Sequence, residues 1–214
     1  MNDTQTIETL KSLRLSAMAE VYEISLRLGP SQSQTTGELV AQMAEAESNA
    51  RQRRRTDRLL KKASLRVPAS IDEIELSPER NLDRGVIQQL AAMDWITRGS
   101  TILITGPTGS GKSFLACSFG HEACLQGITV RYLRATKLFP LLHMARGDGT
   151  YFQEIQRLAK TSLLIIDDFG LMPLESDDRL TLLEILDDRY RKAPSRRPRA
   201  QPALSHSGAR AEFN

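Results

Sequence analysis

Gly106-Pro107-Thr108-Gly109-Ser110-Gly111-Lys112-Ser113 satisfies the pattern G-x-x-x-x-G-K-[ST] at every fixed position. Glycines at these places let the backbone bend until successive N–H groups converge on phosphate oxygens, and a helix starting near Lys112 adds its positive dipole end. On this pattern Lys112 is expected to reach the β and γ phosphates of ATP. Ser113 is expected to place its hydroxyl on Mg²⁺, which keeps most of its waters. Further along, Leu163-Leu164-Ile165-Ile166-Asp167-Asp168 is an apolar run that ends in two carboxylates, as a Walker B strand does. Side chains alternate along a strand, so the two acids should face opposite ways and take different tasks. Asp167 is expected to hold Mg²⁺, generally through water, and Asp168 to position and polarise the attacking water. The chemistry these two motifs would perform together is nucleotide hydrolysis.

A third group is electrostatic. Arg51, Arg53, Arg54, Arg55, Arg58, Lys61 and Lys62 crowd into one stretch opposed by Asp57 alone. Such density suits contacts to DNA phosphates, independent of base sequence and weakened by salt, although a solvated helix face has the same composition. Other chemistries find less support. Asp168-Phe169-Gly170 spells a kinase signature, but no H-R-D motif accompanies it and the phosphate loop is of the Walker A kind. His121, His143 and His206 have no ligand-like spacing, and Cys117 and Cys124 lack the C-x-x-C pairing of a zinc site, so both cysteines read as small buried residues. Trp95 reads as core.

The elements that must carry these residues follow from periodicity. Ile7, Leu10, Leu13, Ala17, Val21, Ile24 and Leu28 recur at steps of three and four, one amphipathic helix stopped by Gly29-Pro30. Thr35 and Glu38 stand at capping-box spacing before a second helix that runs into the basic cluster. Residues 1–66 thus read as a helical N-terminal module for DNA binding or oligomerisation, and 67–82 as a connector. From 83 to 192 the texture is that of an α/β core: a helix near 83–96, a strand over 100–105, the glycine loop, a helix over 112–126, a strand over 128–133, a helix over 136–146, a strand over 162–167 and a helix over 178–192. Strands separated by helices predict a parallel sheet covered on both faces. Residues 193–214 hold Pro194, Pro198 and Pro202 among Arg, Ser and Ala, and are expected to be disordered.

Composition sets the broad class. The 214 residues are 40% hydrophobic and 26% charged, with a formal charge of +3, which fits one α/β domain with a smaller appendage. No apolar run approaches the roughly 20 residues of a membrane span, and the opening Met1-Asn2-Asp3-Thr4 is unlike a signal peptide. A cytoplasmic location is the expectation.

The order and spacing of Leu82-Asp83-Arg84, the stretch from Ile102 through the glycine loop, Leu164 to Gly170, Arg179-Leu180, Leu183 to Leu186 and Asp188-Arg189-Tyr190 resemble the IstB-like transposase helpers, relatives of the DnaC helicase loader. Leu10-Lys11-Ser12-Leu13-Arg14-Leu15 with Met18-Ala19 is similar to that family's N-terminal module. The resemblance implies an AAA+-type P-loop ATPase that self-associates on DNA and delivers a target to a partner transposase. A DnaC-like helicase loader and a non-enzymatic DNA-binding remnant are the rival expectations. The family pattern continues beyond Tyr190 with a sensor strand, an arginine finger and a further strand. Here the Arg/Pro/Ser/Ala tail stands in their place, which suggests a truncated or frameshifted end. The strand leading into the glycine loop would then have no neighbour. Each unpaired buried backbone group costs about 1 to 3 kcal/mol against a domain stability of roughly 5 to 15.

Overall fold

The structure, a computed structural model, describes residues 2–29, 35–76, 82–171, 173–192 and 210–212. The chain divides into two compact units, Met1–Arg58 and Leu59–Asn214. The long helix α3 (Thr36–Ala63) includes the point of division.

In the first unit the expected single helix is two, α1 (Asp3–Ser12) and α2 (Ser16–Leu28). The break is local. Arg14 adopts φ 60°, its N–H donates to the Lys11 carbonyl at 3.0 Å, and the Leu15 N–H donates to the Leu10 carbonyl at 2.9 Å. This is a Schellman ending with Arg where Gly is usual. The apolar repeat crosses the break without a change of step, so periodicity could not reveal it. The capping box before α3 is present, with the Glu38 N–H on Thr35 Oγ1 at 3.3 Å and the Thr35 N–H on Glu38 Oε2 at 2.7 Å.

The second unit is α/β, with two small parallel pairs of strands flanked by helices. Strands β2 (Val130–Arg134) and β3 (Leu163–Asp167) pair along their whole length, Val130 opposite Leu163 and Arg134 opposite Asp167. Alternation sends Val130, Leu163 and Ile165 into one core with Leu115, Phe119 and Ala123 of α6 (Lys112–Leu125). It sends Leu133, Leu164 and Ile166 into another core built by α7 (Ala135–Asp148), α8 (Tyr151–Lys160) and α9 (Ser176–Lys192). The pair is thus covered on both faces. Cys117 and Cys124 are fully buried, and burial alone pushes the Cys124 thiol up to about 11. Trp95 packs against the α6 core and donates to the Leu90 carbonyl at 2.8 Å.

Two elements differ from expectation. The helix near 83–96 is split into α4 (Arg84–Ala91) and α5 (Asp94–Thr97), because Met93 takes φ 58° and turns the chain. Strand β1 (Leu103–Thr105) does have a neighbour: it pairs in parallel with β4 (Arg210–Glu212). Backbone groups on a strand demand partners, and β1 finds them in the stretch for which no structure was expected. The rest of that stretch, 193–209 and 213–214, lies outside the described residues. Among the described residues no helix is long and apolar enough to cross a membrane.

Gly120 fixes the approach of α6 to the strands, since a Cβ there would lie 2.8 Å from Leu65 Cδ2 and 2.9 Å from Ile165 Cδ1. Gly120→Val is expected to cost about 1 to 3 kcal/mol through overpacking. Urea unfolding checks this, and a variant as stable as the parent would show that the interlayer gap is slack.

Candidate nucleotide site

The glycine loop joins β1 to the first turn of α6. Gly106, Gly109 and Gly111 have φ values of 152°, 85° and 89°, a conformation that side chains with a Cβ resist. Gly106, Pro107, Thr108 and Gly109 are exposed, and Ser110, Gly111, Lys112 and Ser113 are half-buried. The Lys112 ammonium bends back over the loop, donating to the carbonyls of Gly106 at 3.0 Å and Pro107 at 2.7 Å. The first N–H groups of α6 have no partner within the helix, as at any helix start, so donors and a cation gather at one spot.

Strand parity brings the carboxylate to that spot. Asp167 follows Leu163 and Ile165 on the α6 side of β3, and Ser113, in the first turn of α6, lies beside it and favours its charged form. Tyr132, one strand over and also on the α6 side, donates its hydroxyl to Asp167 Oδ2. The Asp168 N–H donates to Oδ1 at 2.8 Å. Burial opposes ionisation of Asp167, yet the neighbouring Ser113, the hydrogen bonds from Tyr132 and the Asp168 backbone, and the nearby Arg66 outweigh it and hold its carboxyl below the usual carboxylate range. The same contact acts oppositely on Tyr132, whose phenol is pushed up chiefly by burial and then by Asp167.

Asp168 corrects the expectation of opposite faces. The strand ends at Asp167, and Asp168 adopts φ 56°, so the alternation rule no longer governs it. Both acids approach one cation: Arg66 Nη1 is 3.6 Å from Asp167 Oδ2 and 3.6 Å from Asp168 Oδ2. A left-handed residue at this place is strain of the kind that accumulates at functional sites.

The basic cluster occupies the last turns of α3, and all seven side chains are exposed. Arg51, Arg55, Arg58 and Lys62 recur at steps of four, three and four along that helix and share one face. Arg51 and Arg54 are partly committed elsewhere, their guanidinium groups lying 3.0 and 3.8 Å from the buried Glu47 carboxylate. Glu47 also accepts from the Ala17 N–H at 3.1 Å, tying α3 to the start of α2.

Sequence reasoning missed Arg66, Tyr132 and Arg189. Arg189 donates to the carbonyls of Leu158, Thr161 and Ser162 at 2.8, 2.5 and 2.9 Å, satisfying the end of α8 where it feeds β3. Tyr132 had a signal, since its strand runs beside β3 and its position points to the loop side. Arg66 had none, because its partners are side chains remote in sequence, and Arg189 was marked only by the Asp188-Arg189-Tyr190 run of the family resemblance, which does not reveal its backbone partners.

A family model described as IstB-like ATP binding protein matches residues 8–195. The ATP-binding protein of insertion sequence IS1162 from Pseudomonas fluorescens is 40% identical over 190 residues, covering 88% of this chain and 82% of its own. An insertion-sequence ATP-binding protein of Sinorhizobium fredii is 38% identical over 185 residues, 86% of this chain and 76% of its own. The ATP-binding protein of insertion sequence IS5376 from Geobacillus stearothermophilus is 29% identical over 182 residues, 85% and 72% of the two chains.

Tyr132→Phe removes one donor from an ionised, largely buried carboxylate and should cost about 1 to 2 kcal/mol at neutral pH. Asp167 has a folded-state pKa below its ordinary value, so its stabilisation is present above about 3.8 and is lost as pH falls through the folded value. The difference between parent and variant in urea unfolding should therefore narrow as pH falls below about 3.8. A difference that stays constant would mean that Tyr132 acts by packing alone.

Proposed function

This chain belongs to the family of IstB-like ATP binding proteins, and we propose that it is the ATP-hydrolysing helper of an insertion-sequence transposition system, built on an AAA+-type core. The observation that supports this reading is that the glycine loop leads into α6, whose Ser113 lies beside Asp167 at the end of the acid-bearing strand. Within the reading, the loop from Gly106 to Ser113 cradles the phosphates of ATP, its N–H groups from Thr108 onward donating to them. Lys112 exchanges its two carbonyl partners for phosphate oxygens. The half-buried loop end keeps bulk water away from them.

Ser113 and Asp167 suit Mg²⁺. Both offer hard oxygen donors, and among the described residues no group of three or more His, Cys, Asp or Glu side chains could hold a metal by itself. A cation carried on one or two protein oxygens, with phosphate and water completing its shell, is the arrangement that Mg²⁺ favours. When bound it would neutralise charge developing on the transferred phosphoryl group. Asp168, beside Asp167 and still partly open to solvent, is the group we assign to orient and polarise the attacking water.

Arg51, Arg53, Arg54, Arg55, Arg58, Lys61 and Lys62 are assigned to DNA phosphates. Arg55 and Arg58, three residues apart on α3, share a face of that surface, and Arg51 and Arg54 also reach Glu47. Self-association on DNA and delivery of a target to a partner transposase complete the proposal.

The test of the nucleotide site is a thermal melt with and without Mg·ATP, beside Lys112→Ala. Ligand at 100 times its Kd should add about 2.7 kcal/mol to the parent and little to the variant. A parent transition that ignores ATP would refute the site and leave a DNA-binding protein without an ATP cycle. For the basic face, Arg55→Ala with Arg58→Ala should lower the slope of log affinity against log salt by about 2 on any duplex, at about 0.9 per lost phosphate contact. An unchanged slope would place the DNA path elsewhere.

A further inference from the structure

Arg66 belongs to none of the motifs legible in the sequence, yet its guanidinium reaches both acids. Its Nη1 stands 3.6 Å from a carboxylate oxygen of Asp167 and 3.6 Å from one of Asp168, and Tyr132 lies nearby. Two carboxylates on adjacent residues disfavour each other's ionisation unless a cation lies between them. Arg66 supplies that charge. Its hold is loose in two respects. A separation of 3.6 Å exceeds hydrogen-bond length, so the attraction is Coulombic rather than a bidentate fork. The Arg66 side chain is also 45% exposed, against 12% for Asp167 and 22% for Asp168, so water can take the guanidinium over when it leaves.

The oxygen that Arg66 approaches on Asp167 is Oδ2, on the one carboxylate assigned above to Mg²⁺. We propose that Arg66 is an internal counter-ion for the Asp167–Asp168 pair, a positioning residue that Mg·nucleotide displaces and that thereby sets the Mg²⁺ concentration the site requires. This rests on the reading of Asp167 as the Mg²⁺ carboxylate. Two cations competing for one acid are negatively coupled, and the coupling is reciprocal: whatever free energy Arg66 contributes to the resting acid pair is subtracted from Mg²⁺ binding. Displacement also frees Asp168, whose negative charge a neighbouring guanidinium would otherwise spend on itself instead of on water. Arg66 follows the end of α3 at Ala63 by way of Ser64, which has φ 53°. The cation therefore sits on a turn, outside the rigid elements that hold Ser113, Tyr132 and Asp167.

The experiment uses the full chain, with Arg66→Gln and Arg66→Lys beside the parent. A fluorescent ATP analogue is held at a fixed subsaturating concentration while Mg²⁺ is titrated, and each protein is melted without metal or nucleotide. Arg66→Gln should melt lower than the parent and yet half-saturate at a Mg²⁺ concentration at least about fivefold lower, the small end of ordinary coupling between sites. Arg66→Lys, a cation without the guanidinium's breadth, should fall between. A tie that served structure alone would weaken both properties together. A Mg²⁺ midpoint that is unchanged or raised in Arg66→Gln, in a parent that binds nucleotide with Mg²⁺, would overturn the counter-ion role and leave the Asp167 assignment standing. A parent whose nucleotide binding ignores Mg²⁺ would overturn both. If Arg66→Gln shows no cooperative melt, Arg66→Lys decides: a midpoint below the parent's supports the proposal, and one at or above it refutes it.

Discussion

A carboxylate at the end of an apolar strand, mostly withdrawn from water, survives ionised only if donors surround it. Asp167 has Ser113, Tyr132, the backbone of Asp168 and the Arg66 guanidinium around it, and each donor comes from a different element. The requirement organises the second unit. Helix α6 has to begin where Ser113 can reach β3, β2 has to lie in register so that Tyr132 ends beside the acid, and the turn after α3 has to return Arg66 to the same point. Hydrogen bonds to charged groups carry about 1.5 to 3 kcal/mol each in favourable cases, so the convergence is worth a large part of a domain's stability. It also pre-sets the geometry that Mg·ATP would need.

The packing serves that convergence from both sides. On the α6 face, Gly120 removes the Cβ that would collide with Leu65 and Ile165, and α6 lies close on the strands. On the other face, Arg189 occupies the carbonyls at the end of α8 immediately before β3 begins. Arg146, which stacks over Tyr151 at 4.6 Å and donates to Thr181 at 2.9 Å, joins α7 to α8 and α9. These are long-range polar ties among helices whose apolar contacts alone would leave their rotation loosely defined.

How much of this could be read beforehand depended on distance along the chain. The glycine loop, the acid-ended strand, the capping box at Thr35 and the alternation of strands with helices are local patterns, each enforced by neighbours in sequence, and they stand where the residues said. The breaks at Arg14 and Met93 were invisible because non-glycine residues adopted left-handed backbone there, and the apolar step continued across the first. The contacts of Arg66 and Arg189 were hidden for a different reason. An arginine's partner is chosen by the fold, and composition marks it only as one more positive charge. The pairing of β1 with Arg210–Glu212 lay beyond reach too, since that short stretch shows no strand pattern of its own.

The two acids show where a sequence rule stops. Alternation places Asp167 toward α6 correctly, because that residue is still within β3 and paired with Arg134. Applied one residue further it sends Asp168 to the opposite face, and the conclusion fails since the pleat has ended and φ has changed sign. The consequence is chemical. Both carboxylates come to share one guanidinium, so a cation that takes the place of Arg66 at one acid also removes it from the other. An acid that receives a metal and an acid that steers water would be independent parts if they lay on opposite faces of a strand. On the same side, with Arg66 between them, they form one electrostatic unit, and a cation arriving at the first alters the second without any movement of the backbone.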